Sequence, residues 1–489
     1  MGMAPLGIYL ANMGFSVEAY DDFFREPLRS QLEESGVQIL NEPVPLKRPD
    51  LIIRSSAVSE DDPRLLPFRK LDLPIYRRGQ FVSRFCRSKQ VVAVVGSHGK
   101  TTTSGMLVWA LDQVGFSFSY MVGGRFQDDL LPIGSFDEHS PWLVLEIDES
   151  DGTINEFEPH ITLALNCDWD HVDQYTSPEH LKETFHELFK RTKSKVMVPS
   201  AGELSDWAEQ IIPGSYHTFN SPSEPADFMM ANQEAVISAG HAIGVDLSKL
   251  DFSKFPGMER RQSLLFESEK LTILEDYAHH PVEIRALLSS RRRQLPDHWM
   301  HVLFQPHRFT RTKALAASFA EELSEVDDLQ FMPTYGAFEK YDASGGSESL
   351  IGNLPPRLRK NAKVHENFLE FYRNYSDAET ASKSTQMLFV GAGSIDRWAH
   401  GMSAMSQAGG NKLEAFCHYL KNRLSSPCNL REHEALGSKT TMGVGGDARW
   451  YAEPQNLVDL RTLIEACNLL SVPRVMLGRG SNLIVPDDG

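Results

Sequence analysis

The chain has 489 residues, which is too long for one hydrophobic core and predicts three or four domains. Its 49 Lys and Arg against 66 Asp and Glu give a net charge of −17, so general attraction to nucleic acid or anionic lipid is excluded. No apolar stretch is long enough to span a bilayer and no signal peptide pattern is present, which predicts a cytoplasmic protein without membrane insertion. The five cysteines form no C-x-x-C pair and predict reduced thiols.

Residues 1–88 alternate short apolar runs with helical patterns and predict a first α/β domain. Strands are predicted at Ser16–Tyr20, Leu51–Ile53 and Leu73–Tyr76, and a helix precedes the first of them. A helix, a glycine and a strand ending at Asp21 form the second half of a nucleotide-binding βαβ unit. The first strand and its glycine turn are therefore expected to be missing from the start of the chain.

A glycine loop at residues 96–103, Gly-Ser-His-Gly-Lys-Thr-Thr-Thr, is the most informative stretch. It follows the β-branched run Val91–Val95, which predicts a buried parallel strand, and precedes a helical pattern at Met106–Val114. This order is typical of a phosphate-binding loop, because the glycines let backbone N–H groups close around phosphate oxygens. Lys100 is expected to reach the β- and γ-phosphates, and the Thr101 hydroxyl to contact Mg²⁺. The alternative is a glycine turn that binds nothing.

Two more strands of this second domain, residues 89–256, end in polar residues. Trp142–Ile147 leads into residues 146–151, which carry four carboxylates. Ile161–Leu165 leads into a loop that holds His171 among aspartates. Ligands sit beyond the carboxyl ends of the strands in α/β sheets, and hard cations take oxygen donors, so a Mg²⁺ site is predicted here. A solvated acidic turn and an ordinary loop histidine are the alternatives.

A third α/β domain is predicted at residues 257–400. Two of its strands are followed by clusters of chemistry-bearing residues that open helices, Asp-Tyr-Ala-His-His-Pro at 276–281 and Gln-Pro-His-Arg-Phe-Thr-Arg-Thr at 305–312. Arg308 and Arg311 are three apart at a helix start, so they are expected to share a face and clamp a carboxylate or phosphate. A plain solvated face is the alternative. The predicted strands are Leu271–Leu274, His301–Phe304, Leu329–Met332 and Met387–Val390.

These motifs, in this order, resemble the Mur ligase family over residues 1–400. The resemblance implies a UDP-sugar-binding domain, a P-loop ATPase domain and an amino-acid-binding domain, with ATP and Mg²⁺ as cofactors. It also implies a reaction in which ATP phosphorylates the lactyl carboxylate of UDP-N-acetylmuramate and L-alanine attacks the acyl phosphate. The partners are then these two small molecules, with no nucleic acid; a homo-oligomer is left open.

The resemblance also implies roles for individual residues, grouped here by function. The catalytic set is Lys100, His279, Arg308 and Arg311; the metal ligands are Thr101, Glu149 and His171. The ATP-binding set is Gly96, Ser97, His98, Gly99, Lys100, Thr101, Thr102 and Asn232. The substrate-binding set is Asp21, Ser55, Ser56, Arg77, Tyr277, His279, His307, Arg308 and Arg311.

Residues 401–412 are predicted to be a flexible linker. Two glycine segments follow, Thr-Thr-Met-Gly-Val-Gly-Gly at 440–446 and Leu-Gly-Arg-Gly-Ser-Asn-Leu-Ile-Val at 477–485. With these segments, residues 413–489 resemble the FAD-binding part of the UDP-N-acetylenolpyruvoylglucosamine reductases. The second resemblance implies a ligase–reductase fusion that is cut at both ends. The predicted fold is α/β, with three consecutive α/β domains (Rossmann-like, P-loop and Rossmann-like) and a partial α+β FAD-binding domain. The implied FAD-binding residues are Gly443, Gly445, Gly446, Gly478, Gly480, Ser481 and Asn482.

Three other interpretations stay open. The first is a non-catalytic nucleotide-binding or scaffolding remnant. The second is a generic P-loop kinase or ATPase, which leaves the His-His-Pro and arginine clusters without a role. The third is a ligase that adds a different amino acid or a peptide.

Overall fold

The computed structural model describes most of the chain. The described residues are 2–22, 24–129, 131–148, 152–168, 175, 177–221, 228–337, 339–375, 383–421, 423–425, 428–481 and 484–486. The strands are β1 Glu18–Ala19, β2 Gln38–Ile39, β3 Ile52–Arg54, β4 Ile75–Arg77, β5 Gln90–Val95, β6 Ser119–Met121, β7 Gly134–Ser135, β8 Trp142–Glu146, β9 Ile161–Ala164, β10 Lys195–Pro199, β11 Tyr216–Phe219, β12 Ser263–Glu267, β13 Leu271–Asp276, β14 Trp299–Phe304, β15 Asp328–Phe331, β16 Thr385–Val390, β17 Asn429–Ala435 and β18 Asp447–Glu453. The helices are α1 Ala4–Asn12, α2 Leu28–Glu34, α3 Leu66–Lys70, α4 Arg78–Phe85, α5 Lys100–Gln113, α6 Pro178–Arg191, α7 Glu203–Ile211, α8 Phe228–Ala242, α9 Pro281–Gln294, α10 Phe309–Ala314, α11 Ala316–Glu322, α12 Ser347–Asn353, α13 Pro356–Arg359, α14 Phe368–Tyr375, α15 Ile395–Gln407, α16 Lys412–Leu420 and α17 Leu457–Leu470.

The first domain holds two small parallel pairs, β1 with β2 and β3 with β4. The strands β1, β3 and β4 coincide with or overlap the predicted runs, so these three predictions are confirmed, whereas β2 was not predicted. Several buried side chains of this domain belong to the cores of the central domain. Ile8 and Leu32 pack in one core cluster with β5 and α5, and Leu6 and Tyr9 in the other. The first domain therefore depends on the central domain for part of its burial.

The central domain is built on a seven-stranded sheet in the order β11-β10-β9-β5-β8-β6-β7. Its strands are parallel except for the short β7, which pairs antiparallel with β6. β5 lies between β8 and β9 and is buried on both faces, which explains its unbroken valine-rich sequence. The loops after β5, β8 and β9 therefore meet at one edge of the sheet.

The third domain has a five-stranded sheet in the order β12-β13-β16-β14-β15, parallel except at the edge strand β12. All four strands predicted for this domain are present. One face of the sheet packs against α9 and α11, and the other against α14 and α15. The helices α9 and α10 follow β13 and β14, so both motif clusters sit at the carboxyl edge of this sheet.

The predicted linker at 401–412 is wrong over its first seven residues, because α15 continues through Gln407. Gly401 is buried in that helix, where a Cβ atom would lie 2.8 Å from Leu469 and 3.0 Å from Phe368. The glycine serves close packing rather than flexibility. The following α16 and α17 join the core cluster of the third domain, so this segment packs onto that domain. In the described part of the chain, no helix is long and apolar enough to cross a membrane.

Candidate functional site

A cavity of about 1060 Å³ lies between the first, central and third domains. Its lining includes the phosphate loop, the ends of β8 and β13, the start of α10 and the turn after α16. Ten of the lining residues are Lys or Arg and eight are Asp or Glu, whereas the whole chain has 17 more acids than bases. The cavity lining thus has a small excess of positive charge in a chain that is acidic as a whole, which suits an anionic ligand.

The phosphate loop has the backbone that the sequence predicts. Gly96 and Gly99 have φ angles of 140° and 78°, a region that favours glycine, and α5 begins at Lys100. The Lys100 ammonium donates to the backbone oxygen of Gly96 at 2.6 Å and lies 3.9 Å from Asp148. The lysine is thereby folded back over its own loop, at the place where phosphate would bind. Ser97, His98, Gly99, Lys100 and Thr101 all line the cavity.

Glu146, the last residue of β8, is a carboxylate that contacts Thr101 of this loop. The metal ligand predicted from the sequence is Glu149 instead. The Thr101 hydroxyl donates to Oε1 of Glu146 at 3.0 Å, and the Ser104 hydroxyl and Gly123 N–H donate to its Oε2 at 3.3 and 3.0 Å. Its position at the strand end, next to β5, is the signal that could have identified it. Glu149 and His171 lie outside the described residues.

Two asparagines hold the loop from outside. Asn166, just beyond β9, accepts from the His98 N–H at 2.8 Å and donates to the His98 oxygen at 3.0 Å. Asn232 on α8 lies against Gly99, where a Cβ atom would be 3.3 Å from its Oδ1. Its buried Nδ2 has no hydrogen-bond partner among the described residues. A buried amide without a partner is costly, so Asn232 is suited to a nucleotide contact, as predicted. Thr102 is buried within α5.

The third-domain wall brings together the residues that were predicted to hold the amino acid. Tyr277, His279, His307, Arg308 and Arg311 all line the cavity. The rings of Tyr277 and His279 are 5.4 Å apart, and those of His279 and His307 are 5.6 Å apart. Arg311 is 4% exposed and its Nη1 lies 3.4 Å from His307 Nδ1. These five side chains therefore form one contiguous patch.

The predicted helix-face geometry of the two arginines is wrong. Arg308 precedes α10 with φ 71° and ψ 128°, so it lies outside the helix that begins at Phe309. Its N–H donates to the Tyr335 oxygen at 2.8 Å, and its Nε donates to Glu339 at 3.0 Å. The arginines still reach the same cavity, because the strained residue redirects the chain rather than because of helical spacing.

Glu283 on α9 connects the two walls of the cavity. Its carboxylate lies 3.5 Å from His98 of the phosphate loop, 3.3 Å from His279 and 3.6 Å from Arg261. Burial alone would raise the pKa of Glu283, but His279, His98 and Arg261 outweigh it and hold that pKa well below its usual range. Glu283 is therefore an anion shared by the predicted nucleotide and amino-acid residues.

Arg260 and Arg261, absent from the predicted set, also shape the third-domain wall. Both guanidinium groups lie over the Tyr277 ring, at 4.9 and 5.0 Å from its centroid. Arg260 donates to Glu275 at 2.6 Å and to the oxygen of Gly391 at 3.0 Å. The adjacent double arginine after a glycine could have drawn attention to them in the sequence.

The residues predicted for the uridine nucleotide in the first domain are not among the described residues that line the cavity. Asp21 follows β1, Ser55 and Ser56 follow β3, and Arg77 ends β4 and lies 3.8 Å from Glu156. From this domain, Arg25 and Arg78 line the cavity instead. The side chains at the ends of the small strands are thus separate from this space.

The two glycine segments predicted to bind flavin lie next to each other. Thr441 donates to the Gly480 oxygen at 3.0 Å, and Gly446 to the Pro486 oxygen at 2.9 Å. Gly443, Gly445, Gly478 and Gly480 have positive φ angles. The structure thus places six of the seven predicted residues in two adjacent segments, including Ser481; Asn482 lies outside the described residues.

The region around the phosphate loop is similar to a known protein family. Residues 94–238 match the Mur ligase middle domain. The UDP-N-acetylmuramate–L-alanine ligase of Carboxydothermus hydrogenoformans is 28% identical over 437 residues, covering 81% of this chain and 93% of the relative. That of Cytophaga hutchinsonii is 27% identical over 443 residues, with coverages of 81% and 93%. The chain is an ATP-dependent ligase.

The fold of this chain is shared by solved structures. A UDP-N-acetylmuramate–alanine ligase from Thermotoga maritima has a TM-score of 0.66 at 23% identity, covering 83% of this chain and 97% of that one. A murein peptide ligase from Psychrobacter arcticus has a TM-score of 0.61 at 19% identity, with coverages of 84% and 96%. At these identities the likeness concerns the fold, and the predicted mixed α/β class is confirmed to that extent.

Proposed function

We propose that this Mur-type ligase joins L-alanine to UDP-N-acetylmuramate at the expense of ATP, through an acyl phosphate. The observation that carries the proposal is that a phosphate loop and a histidine–arginine patch face one cavity and share the carboxylate of Glu283. The proposed substrates, UDP-N-acetylmuramate and L-alanine, are those in the names of the relatives. The volume of about 1060 Å³ is at the upper end for one small ligand and accommodates more than one reactant.

On the central-domain wall, Lys100 would release the Gly96 oxygen and bind the phosphate oxygens of the nucleotide. A positive charge at this point stabilises the negative charge that spreads over a transferring phosphoryl group. Backbone N–H groups of the loop and the start of α5 would bind the same oxygens. Asn232 would contact the remainder of the nucleotide, which satisfies its buried Nδ2.

The oxygen donors of Thr101 and Glu146 fit a magnesium ion, since a hydroxyl and a carboxylate that already meet at 3.0 Å are the ligand types this cation prefers. Thr101 and Glu146 would hold the ion, which would supply positive charge against the phosphate oxygens. Glu149 and His171 remain proposed ligands on sequence grounds alone.

On the third-domain wall, Arg311 and Arg308 would hold the carboxylate of the amino acid or the acyl phosphate, and Tyr277, His279 and His307 would enclose a small side chain. Arginine binds carboxylates and phosphates through two parallel hydrogen bonds, which orients the attacking amine. His279 already contacts Glu283, so a change at the nucleotide wall would reach the amine through one carboxylate.

The test is phosphate release by the purified protein with ATP, Mg²⁺, UDP-N-acetylmuramate and L-alanine, with mass spectrometry of the product. Release that requires both the UDP-sugar and L-alanine supports the proposal. Release without the UDP-sugar, or no release at all, would contradict it and favour an ATPase or a non-catalytic protein.

A ligase that accepts another amine is the second candidate, and the murein peptide ligase fold of Psychrobacter arcticus favours examining it. The same assay with glycine, L-serine or a tripeptide that begins with L-alanine, in place of L-alanine itself, separates the two candidates. A higher kcat/KM for this tripeptide than for L-alanine would replace the alanine assignment.

A flavin-binding role for residues 413–489 stays a prediction that rests on their sequence motifs and is supported by the contact between the two glycine segments. Titration of the protein with FAD, followed by flavin fluorescence, tests it. Unchanged fluorescence at micromolar protein would remove FAD from the account.

A further inference from the structure

The turn after α16 belongs to a segment that its sequence relates to a reductase, yet it lines the ligase cavity. His418, Tyr419, Lys421 and Arg423 are among the lining residues. α16 is held on the third domain by its apolar face, with Ala415, Phe416, Tyr419 and Leu420 in the same core cluster as α15. Lys421, which directly follows the helix, is therefore attached to an element that packs on the third domain.

Arg423 is oriented by its immediate neighbours. Its guanidinium carbon lies 4.6 Å from the centroid of the Tyr419 ring, and its backbone N–H donates to the Leu420 oxygen at 3.0 Å. Its charge acts on the carboxyl groups of Asp396 and Glu259, both of which also line the cavity. A guanidinium stacked on an aromatic ring keeps its N–H edge available for a planar anion.

These cations lie on the side of the cavity that the first domain closes. Asp396 accepts a hydrogen bond of 2.6 Å from Arg25 of the first domain. Arg461 of α17 donates to the backbone oxygen of Asp22, so the reductase-like segment also contacts the first domain directly. Lys100, by contrast, serves the central-domain wall.

We propose that Lys421 and Arg423 bind the diphosphate of the UDP-sugar, an inference that rests on the function proposed above. Lys421 is exposed at the end of α16, and it carries a charge that a diphosphate can neutralise. The first domain adds Arg25 and Arg78 to the same wall. The reductase-like segment thereby completes a ligase substrate site, and the two parts of the chain act on one nucleotide-sugar class.

The experiment compares the full-length wild type with Lys421→Ala, Arg423→Ala and the double variant. The matched control is Arg474→Ala, an exposed cation in the same segment whose side chain donates to Asn468 and does not line the cavity. The double variant is expected to raise the KM for UDP-N-acetylmuramate at least about tenfold. The KM values for ATP and L-alanine and the kcat should stay within about twofold. Arg423→Lys should recover part of the loss, since it restores charge without the planar fork.

Inhibition by UDP and UMP identifies the group that is bound. The wild type should prefer UDP over UMP, and the double variant should lose most of that preference. An unchanged KM for the UDP-sugar in an active double variant, or an unchanged UDP-to-UMP ratio, would overturn this inference alone. A similar rise in all three KM values, or a matching fall in thermal stability, would also overturn it, because it indicates a structural role. A wild type without UDP-sugar-dependent phosphate release would instead overturn the proposed function.

Discussion

The two main walls of the cavity are held by different forces. The phosphate loop is a contiguous segment whose shape comes from two positive-φ glycines and from backbone hydrogen bonds to Asn166. The third-domain wall is assembled from loops far apart in sequence and is held by ion pairs, such as Arg260 with Glu275 and Arg308 with Glu339. The first wall is largely local in the sequence, whereas the second exists only after folding.

This difference implies different sensitivities to substitution. A backbone-built loop loses function when a chemically active side chain is removed, but its shape persists. A wall built from ion pairs loses its shape when one partner is removed, because the other charge is left buried without compensation. Substitutions in the two walls of the cavity test this contrast, and the largest effect is expected at Lys100.

Lys100→Ala should lower the turnover of phosphate release at least about 1000-fold, because the cation that opposes phosphoryl charge is lost. Nucleotide affinity should fall much less, since the loop N–H groups remain. Turnover and binding of a fluorescent ATP analogue are measured on the same preparation. A variant with near-wild-type turnover would contradict the phosphate-loop assignment.

Glu146→Gln should lower turnover about 100-fold and raise the Mg²⁺ concentration for half-maximal rate, because a neutral amide is a poorer ligand for this cation. Glu149→Gln, assayed in parallel, decides between the two acids. Glu158→Gln, at an exposed carboxylate 3.6 Å from Lys193, is the control. A larger effect at Glu149 than at Glu146 would restore the sequence prediction.

Glu283→Gln should lower turnover about 10- to 100-fold and raise the KM for both ATP and L-alanine, because both walls lose a shared anion. Arg285→Ala on the same helix removes an ion pair with Glu322 away from the cavity and should leave turnover unchanged. If only one KM rises, Glu283 serves one wall and does not couple them.

Asp276 should make stability depend on pH. Burial raises the pKa of Asp276 to about 6, from its ordinary 3.8. The folded state then binds this proton more tightly than the unfolded state, so the contribution of Asp276 to stability falls as pH rises from about 4 to 6. The change amounts to about 3 kcal/mol.

Urea unfolding of the wild type and of Asp276→Asn between pH 4 and 7 measures it. The free energy of the wild type relative to the variant should decline across this range and level off above pH 6. Parallel curves would show that Asp276 titrates normally. Groups that do not interact with Asp276 are common to both proteins and cancel in the difference.

The sequence predicted the elements of the described sheets well, since buried parallel strands are unbroken apolar runs such as Val92–Val95. It placed Glu146 among the four carboxylates of residues 146–151 but selected Glu149 as the metal ligand, because Ile147 extends the apolar run past the end of β8. It misplaced Arg308 because a positive φ at an arginine depends on the contacts with Tyr335 and Glu339, which only folding brings together. Roles for the substrate, flavin and metal residues remain predictions.

The glycine at position 401 shows the same limit from another side. In sequence it favours a break, but in the structure it allows α15 to approach Leu469 of α17. Whether a glycine ends a helix or brings two helices together depends on what packs against it. The end of α15 could therefore not be located from composition.

The core shared by α15, α16 and α17 carries a consequence for how the molecule opens. Because Leu470 of α17 lies in one cluster with Trp398 of α15 and Phe416 of α16, local unfolding of α17 would uncover those two helices, and α15 in turn packs on β16. Amide protons of these elements should then exchange as a single cooperative unit. Loosening this end of the chain would reach the central strand of the third domain, and the next residue, Gly391, accepts a hydrogen bond from Arg260 of the cavity wall.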